Sequence, residues 1–151
     1  KQRIKPNSVD VITTNPPFGT KIDVTKDEVL QHFELGHKLV DGVPTAALLD
    51  GQDPDKLFVE RDIYYFNEAS RGNDGGRMVI VLPKQNLSGA QEDSVNFRKW
   101  LFSKVQITAI VDLPREAFQP HTGTKTSLVF LKKVEKKFVI QNYNNYIYGR
   151  K

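Results

Sequence analysis

The stretch VDVITTNPPFGTK, residues 9–21, decides how this 151-residue chain is read. Its first six positions are rich in β-branched and apolar residues, the make-up of a strand. The run stops at Asn15-Pro16-Pro17-Phe18-Gly19. Two consecutive prolines cannot donate to a β-ladder, and they restrict the backbone on either side. Asn15 and Phe18 are therefore presented at a strand end by a chain with little freedom left to lose, which is how a preorganised site is built. On this motif alone an ordinary Asn-Pro turn explains the residues equally well.

Two later runs repeat the pattern. MVIVL (78–82) ends at Pro83, and ITAIVDL (107–113) ends at Pro114. Near-continuous apolar runs of this length fit parallel strands covered on both faces. Between them, Asp53-Pro54 offers an N-cap and a first-turn proline. Val59, Ile63 and Phe66 then recur at helical spacing until the Asn73-Asp74-Gly75-Gly76 turn, which is expected to close the helix. A second helix is expected from about Asp93 through Phe97, Trp100 and Leu101, and a weaker third over residues 26–40. Strands alternating with helices imply an open α/β sheet. TSLVFLK (126–132) follows the third strand too closely for a helical crossover, so those two are expected to pair antiparallel. FVIQNYNNYIY (138–148) has strand-like ends. Ligands of such sheets bind beyond the carboxyl ends of the strands, which places the three proline-terminated loops at one candidate edge.

Composition sets the outer bounds. With 38% hydrophobic residues and no apolar run near the roughly 20 residues of a membrane helix, the chain fits a soluble protein; no secretory signal pattern opens it. Cysteine is absent, so disulfides and thiolate metal sites are excluded, and a reducing compartment fits. His32, His37 and His121 lack metal-ligand spacing, and no metal is expected. The net charge of +4 tilts only weakly toward anionic partners. Much of it sits in Lys132, Lys133, Lys136 and Lys137, which read as a solvated connection.

Taken with ELGHK (34–38), LFVER (57–61), GGRMVIVLP (75–83) and IVDLPREAFQPHTGTKTSLVFLKK (110–133), the Asn-Pro-Pro-Phe motif resembles the amino-methylating DNA methyltransferases. The resemblance is closest to the modification subunit of type I restriction–modification systems, and it covers residues 9–133. It implies a Rossmann-like S-adenosylmethionine-dependent methyltransferase fold, α/β and partial: the later strands of the sheet, mostly parallel, with a final antiparallel hairpin. Residues 1–133 would be the C-terminal half of the catalytic domain, and 134–151 a basic connection with an extra strand.

The resemblance also implies adenine N6 methylation of DNA, with a specificity subunit and a motor–nuclease restriction subunit as partners, in a bacterial or archaeal cytoplasm. Asn15, Pro16, Pro17 and Phe18 would be catalytic. The adenine amine is a poor nucleophile because its lone pair is delocalised into the ring. The Asn15 side-chain oxygen and the Pro16 carbonyl are uncharged acceptors suited to its N–H groups. Phe18 would be the platform for a flipped base. Gly123, Lys125 and Thr126 would face DNA, with Lys125 available to a phosphate, and Asn15 and Pro17 would touch the cofactor.

The family's glycine-rich cofactor loop is found neither ahead of Val9 nor downstream, so the chain alone is expected to be inactive. The apolar edge of its first strand is expected to be open to self-association. Two further readings remain: the same chemistry on ribosomal RNA bases or protein glutamine, and a non-catalytic interaction domain. Phe18 favours DNA over the glutamine enzymes, which usually carry Tyr there. Gln85 and Asn86 sit at the same edge, as pocket lining or, the simpler reading, as surface polar residues. Asp112 and Glu116 are acid–base candidates that the chemistry does not require, Asp112 reading equally as a residue that orders a loop. Phe97, Trp100 and Tyr65 read as core.

Overall fold

The computed structural model describes residues 4–18, 23–69, 74–120 and 122–135. In chain order its elements are β1 (Val11–Thr14), the one-turn helix α1 (Asp27–Leu30), β2 (His37–Val40), β3 (Val43–Leu48), α2 (Pro54–Tyr65), β4 (Arg77–Pro83), α3 (Lys84–Ser88), α4 (Glu92–Phe102), β5 (Gln106–Asp112) and β6 (Thr126–Lys132). Short 3₁₀ turns span Glu34–Gly36 and Arg115–Phe118. Among the described residues no helix is long and apolar enough to cross a membrane.

Four strands form one sheet in the order β1-β4-β6-β5, and β2 and β3 form a separate hairpin. β1 runs parallel to β4, from Val11↔Arg77 to Thr14↔Ile80. β6 is antiparallel to both β4 and β5. Three strands therefore share one direction, and the reversed β6 lies between two of them. The expected antiparallel β5–β6 pair is present, and β6 has a second ladder with β4 that the sequence does not announce.

The core lies on one face of this sheet. Met78, Ile80 and Leu82 alternate along β4, each at most 1% exposed, and join Val129 and Leu131 of β6. Leu57, Val59 and Ile63 from α2 and Phe97, Trp100 and Leu101 from α4 complete the same cluster. Each such side chain contributes about 1.5–3 kcal/mol by leaving water. β1 and β5 depart from the expectation of strands buried on both faces. They are the two edges of the sheet among the described residues, and Val11, Ile110 and Val111 are 66%, 49% and 48% exposed.

Helix α2 also ends earlier than its sequence pattern suggests. Phe66 turns extended and bridges Val9 in parallel, and the Asn67 N–H donates to the Val9 carbonyl at 2.9 Å. Pairing with the strand thus overrides the helical period. At the other end, the Asp53 carboxylate makes no cap bond to the helix backbone; it pairs with Lys56 Nζ at 2.9 Å.

Residues 26–40 do not form one helix. α1 stops after one turn, and the Glu60 carboxylate of α2 then accepts the backbone N–H groups of Glu34 and Leu35, both at 2.8 Å. Glu34 in turn accepts from Trp100 Nε1 at 2.6 Å and pairs with Lys104 Nζ at 2.7 Å. Burial raises the pKa of Glu34, but Lys104 and Trp100 outweigh it and hold the carboxyl below its usual range. Gly36 closes this turn where a Cβ would stand 2.1 Å from the Leu30 carbonyl oxygen.

The β2–β3 hairpin follows immediately and is absent from the sequence reading. Its turn is Asp41-Gly42, with φ of 51° and 77°. Asn96 of α4 clamps it by accepting from the Gly42 N–H and donating to the Leu39 carbonyl, both at 3.1 Å. The ends of the excursion are stitched together, since Val24 and Gln52 exchange backbone hydrogen bonds of 2.9 and 3.1 Å. The segment 138–148, and all of the expected C-terminal connection beyond Glu135, lie outside the described residues.

Because the obstacle at Gly36 is backbone, it cannot rotate away. Gly36→Ala is expected to cost about 2–4 kcal/mol in urea unfolding; a loss below about 0.5 kcal/mol would show that the turn relaxes freely.

Candidate active site

The strand directions bring the carboxyl ends of β1, β4 and β5 and the amino end of β6 to one edge. Asn15 leaves β1 there. Asn15 and Pro17 are exposed, Pro16 is buried and Phe18 is half-buried. Burying Pro16 anchors the turn and leaves its neighbours outward. The Phe18 ring meets Phe118 edge to face, with centroids 5.5 Å apart and planes at 86°. Phe118 ends the 3₁₀ turn that follows β5, so the contact joins the first loop of the edge to the third. The sequence analysis did not single Phe118 out. The available signal was one large apolar residue in an otherwise polar connection.

From Phe118 the chain returns to β6 through a loop tied by its own threonines. The Thr122 N–H donates to the Phe118 carbonyl at 3.1 Å, and Thr122 Oγ1 accepts from the Thr124 N–H at 3.1 Å. Gly123 and Lys125 are exposed, and a Cβ built on Gly123 would meet nothing. Thr126 is 2% exposed and pairs with Pro83 in the ladder, so its side chain lies inside. Of the three candidate DNA contacts, Gly123 and Lys125 are on the surface and Thr126 is not.

The edge is laced together across its strands. The Lys84 N–H donates to the Lys125 carbonyl at 2.8 Å, and the Leu113 N–H to the Thr126 carbonyl at 3.0 Å. The Asp112 carboxylate accepts from Ser127 Oγ at 2.7 Å and pairs with Lys84 Nζ. The Lys84 hydrogen bond, followed by that of Ser127, holds the Asp112 carboxyl below the ordinary range.

Beneath the edge lies a buried polar cluster. Asn86 is 5% exposed, not a surface residue as its sequence context suggested, and donates to Asp55 Oδ2 at 2.6 Å. Lys56, 2% exposed, is flanked by Asp53 and Asp93. Burial pulls the Lys56 pKa down, but these carboxylates outweigh it and hold it above its ordinary value. For Asp55, burial, followed by the charge of Asp53, outweighs the opposing charge of Lys56 and pushes it up to about 6.

Among the described residues no group of acidic or histidine side chains is placed to hold a metal. A cavity of about 410 Å³ lies between the hairpin and α4, and one of about 560 Å³ lies between α1 and α2. Neither is lined by Asn15, Pro16, Pro17 or Phe18. β1, β4 and β5 run on into Asn-Pro-Pro, Lys-Gln-Asn and Leu-Pro-Arg, and none of these is a glycine-rich turn.

The family model described as N-6 DNA Methylase matches residues 1–148. The type I restriction enzyme EcoEI methylase subunit of Escherichia coli is 30% identical over 125 residues, which is 83% of this chain and 21% of that protein. The chain thus spans about a fifth of the length of the curated relative it matches. A modification subunit from Vibrio vulnificus YJ016, assigned to a type I restriction enzyme, superposes with a TM-score of 0.62 at 26% identity, over 85% of this chain and 24% of that one. The EcoKI M protein shares the fold, with a TM-score of 0.52 at 22% identity over 83% and 21% of the respective chains.

The raised pKa of Asp55 gives the site a pH signature. The folded protein holds this proton through the window from about 4 to about 6, where the unfolded chain has released it, so stability falls as pH rises across that window. Asp62, raised by burial to about 6, adds a slope of the same sign. Asp55→Asn keeps an acceptor for Asn86 and is expected to shrink the slope and stabilise the protein at pH 7 by about 1–3 kcal/mol. Unfolding curves at pH 4.5 and 7 that shift in parallel with the parent would refute this.

Proposed function

The chain belongs to the N-6 DNA methylase family, and on that premise we propose that it forms the target-base side of a DNA adenine N6 methyltransferase of the type I modification kind. The observation that carries this reading is the meeting of Phe18 with Phe118 beside the exposed Asn15 at the strand edge. A base taken out of a duplex needs an aromatic surface and acceptors for its amine. Phe18 supplies a ring to stack on, and Phe118 borders the same space. Parting this edge-to-face pair costs about 0.5–1.5 kcal/mol, less than stacking a base returns.

The Asn15 side-chain oxygen and the Pro16 carbonyl accept the two N–H groups of the amine. This draws the nitrogen lone pair out of the ring and orients it. Both acceptors are neutral, and their bonds strengthen as positive charge develops on nitrogen, so they favour the transition state over the ground state. S-adenosylmethionine, when bound, supplies the methyl group on a sulfonium. Asn15 and Pro17 are the residues of this chain at hand to border that cofactor. The described strand ends fit the acceptor side of the reaction; the main cofactor loop belongs to the remainder of a larger catalytic domain, in keeping with the greater length of the relatives.

In this reading the partners are DNA, a specificity subunit and a restriction subunit, in the cytoplasm, as the type I character of the relatives supports. The open edge of β1, with Val11 exposed, receives a strand from the rest of the domain, and in its absence is a surface for self-association.

Asn15→Ala in the full-length protein is expected to lower adenine methylation by about 10²–10³-fold or more while leaving cofactor affinity within a few-fold. Equal loss of both would assign Asn15 a structural role. The 151-residue chain by itself is expected not to bind S-adenosylmethionine in a calorimeter; stoichiometric heat would contradict the division of the site.

A further inference from the structure

One group of charged side chains at this edge has no part in the chemistry above. Lys84 begins α3 directly beyond β4, and Lys125 immediately precedes β6. Their backbones are joined by the Lys84 N–H to Lys125 carbonyl bond of 2.8 Å, so the two lysines depart from one point of the edge. Asp112 lies at the end of β5, on the far side of β6 from β4. Lys84 must therefore reach across a whole strand to form its ion pair with Asp112. The carboxylate is fixed from beneath by Ser127, which is fully buried, and the charge of Lys125 also favours its ionised form.

An exposed ion pair of this kind contributes little to stability, because water screens it and both side chains lose freedom. Lys84 and Asp112 are 44% and 56% exposed, yet the carboxylate has a dedicated buried anchor. The arrangement is an anion held in place and paired with one cation, with the charge of a second, Lys125, bearing on it more weakly. A nucleic-acid phosphate has the charge and the acceptor oxygens to take the same position.

We propose that Lys84 and Lys125 together seat one backbone phosphate of the DNA strand that carries the target base, and that Asp112, anchored by Ser127, stands in for that phosphate when DNA is absent. This rests on reading the chain as the target-base side of a DNA methyltransferase. The seat lies on the edge where Asn15 emerges, so a phosphate held there fixes the strand from which the base is drawn. Asp112 is a positioning residue: it keeps the Lys84 ammonium over the edge and is displaced by the phosphate.

The test is binding of duplex DNA carrying the recognition site to the full-length protein with its DNA-reading partner, followed by fluorescence anisotropy across a salt series. Lys84→Ala and Lys125→Ala are each expected to weaken binding about 3–10-fold at 150 mM salt. Because the two share one phosphate, the double variant should lower the slope of log K against log salt by about 1, not 2. Lys84→Arg should keep the parent slope, which separates loss of charge from damage to the fold. Asp112→Asn should tighten binding about 2–5-fold, and that gain should vanish when both lysines are alanine.

An unchanged slope in the double variant, or a gain from Asp112→Asn that persists without the lysines, would overturn the seat while methylation by the parent protein upholds the broader reading. A parent protein that neither binds nor methylates DNA, or that binds an RNA duplex in its place, would overturn both.

Discussion

The reversed strand β6 is the constraint on which the rest of the structure depends. It pairs with β4 over seven residues, from Arg77↔Lys132 to Pro83↔Thr126, and with β5 on its other side. Without it, the carboxyl ends of β4 and β5 would have no common neighbour. With it, the loop after β5 must turn back and re-enter the sheet between its two predecessors. That return carries Phe118 to Phe18 and sets Lys125 beside Lys84. The candidate site is thus a consequence of strand order, and its parts come from three separate loops.

The same ladder separates the structural duties of the edge from its chemical ones. Thr126 and Ser127 lie at the same end of β6 as Lys125, but the pleat and the flanking strands bury both. Ser127 spends its hydroxyl on Asp112, and the backbone of Thr126 holds Leu113. A polar run such as Lys125-Thr126-Ser127 can look like one binding loop in sequence, when only its first member faces solvent. Below the edge, Asp55 and Asn86 tie α2 to α3 and Lys56 ties α2 to Asp93 of α4, and these polar contacts impose geometry more than they add stability.

Much of this was legible in the sequence because it rests on short-range signals. The apolar runs of β4, β5 and β6 and the proline after Asn15 mark strands and their ends wherever they occur. The periodicity of α4 likewise survives into the structure, because Phe97, Trp100 and Leu101 face a single core. What stayed hidden depends on distant partners. Residues 26–40 have a helical look, but Glu60 draws off the N–H groups of Glu34 and Leu35 that a helix would have used. The exposure of Val11 and Ile110 follows from strand order, which no local window contains. The β2–β3 hairpin is a different case, since Asp41-Gly42 between Val40 and Val43 carries a local hairpin signal of its own. Phe118 gains its significance only from contact with a residue one hundred positions earlier.

The bridge between Val24 and Gln52 gives the hairpin a particular standing in the chain. The polypeptide leaves the main path at one of these residues and rejoins it at the other, with the two held by reciprocal backbone hydrogen bonds. The span between β1 and α2 is therefore independent of how much chain the excursion contains. Such a detour is closed at its gate, but Leu30 and Leu35 belong to the shared core and Asn96 clamps its turn, so only its exposed positions can acquire a new surface without disturbing β1 against β4. Variation among relatives, and additions made by design, would be absorbed there before they reached the residues around Asn15.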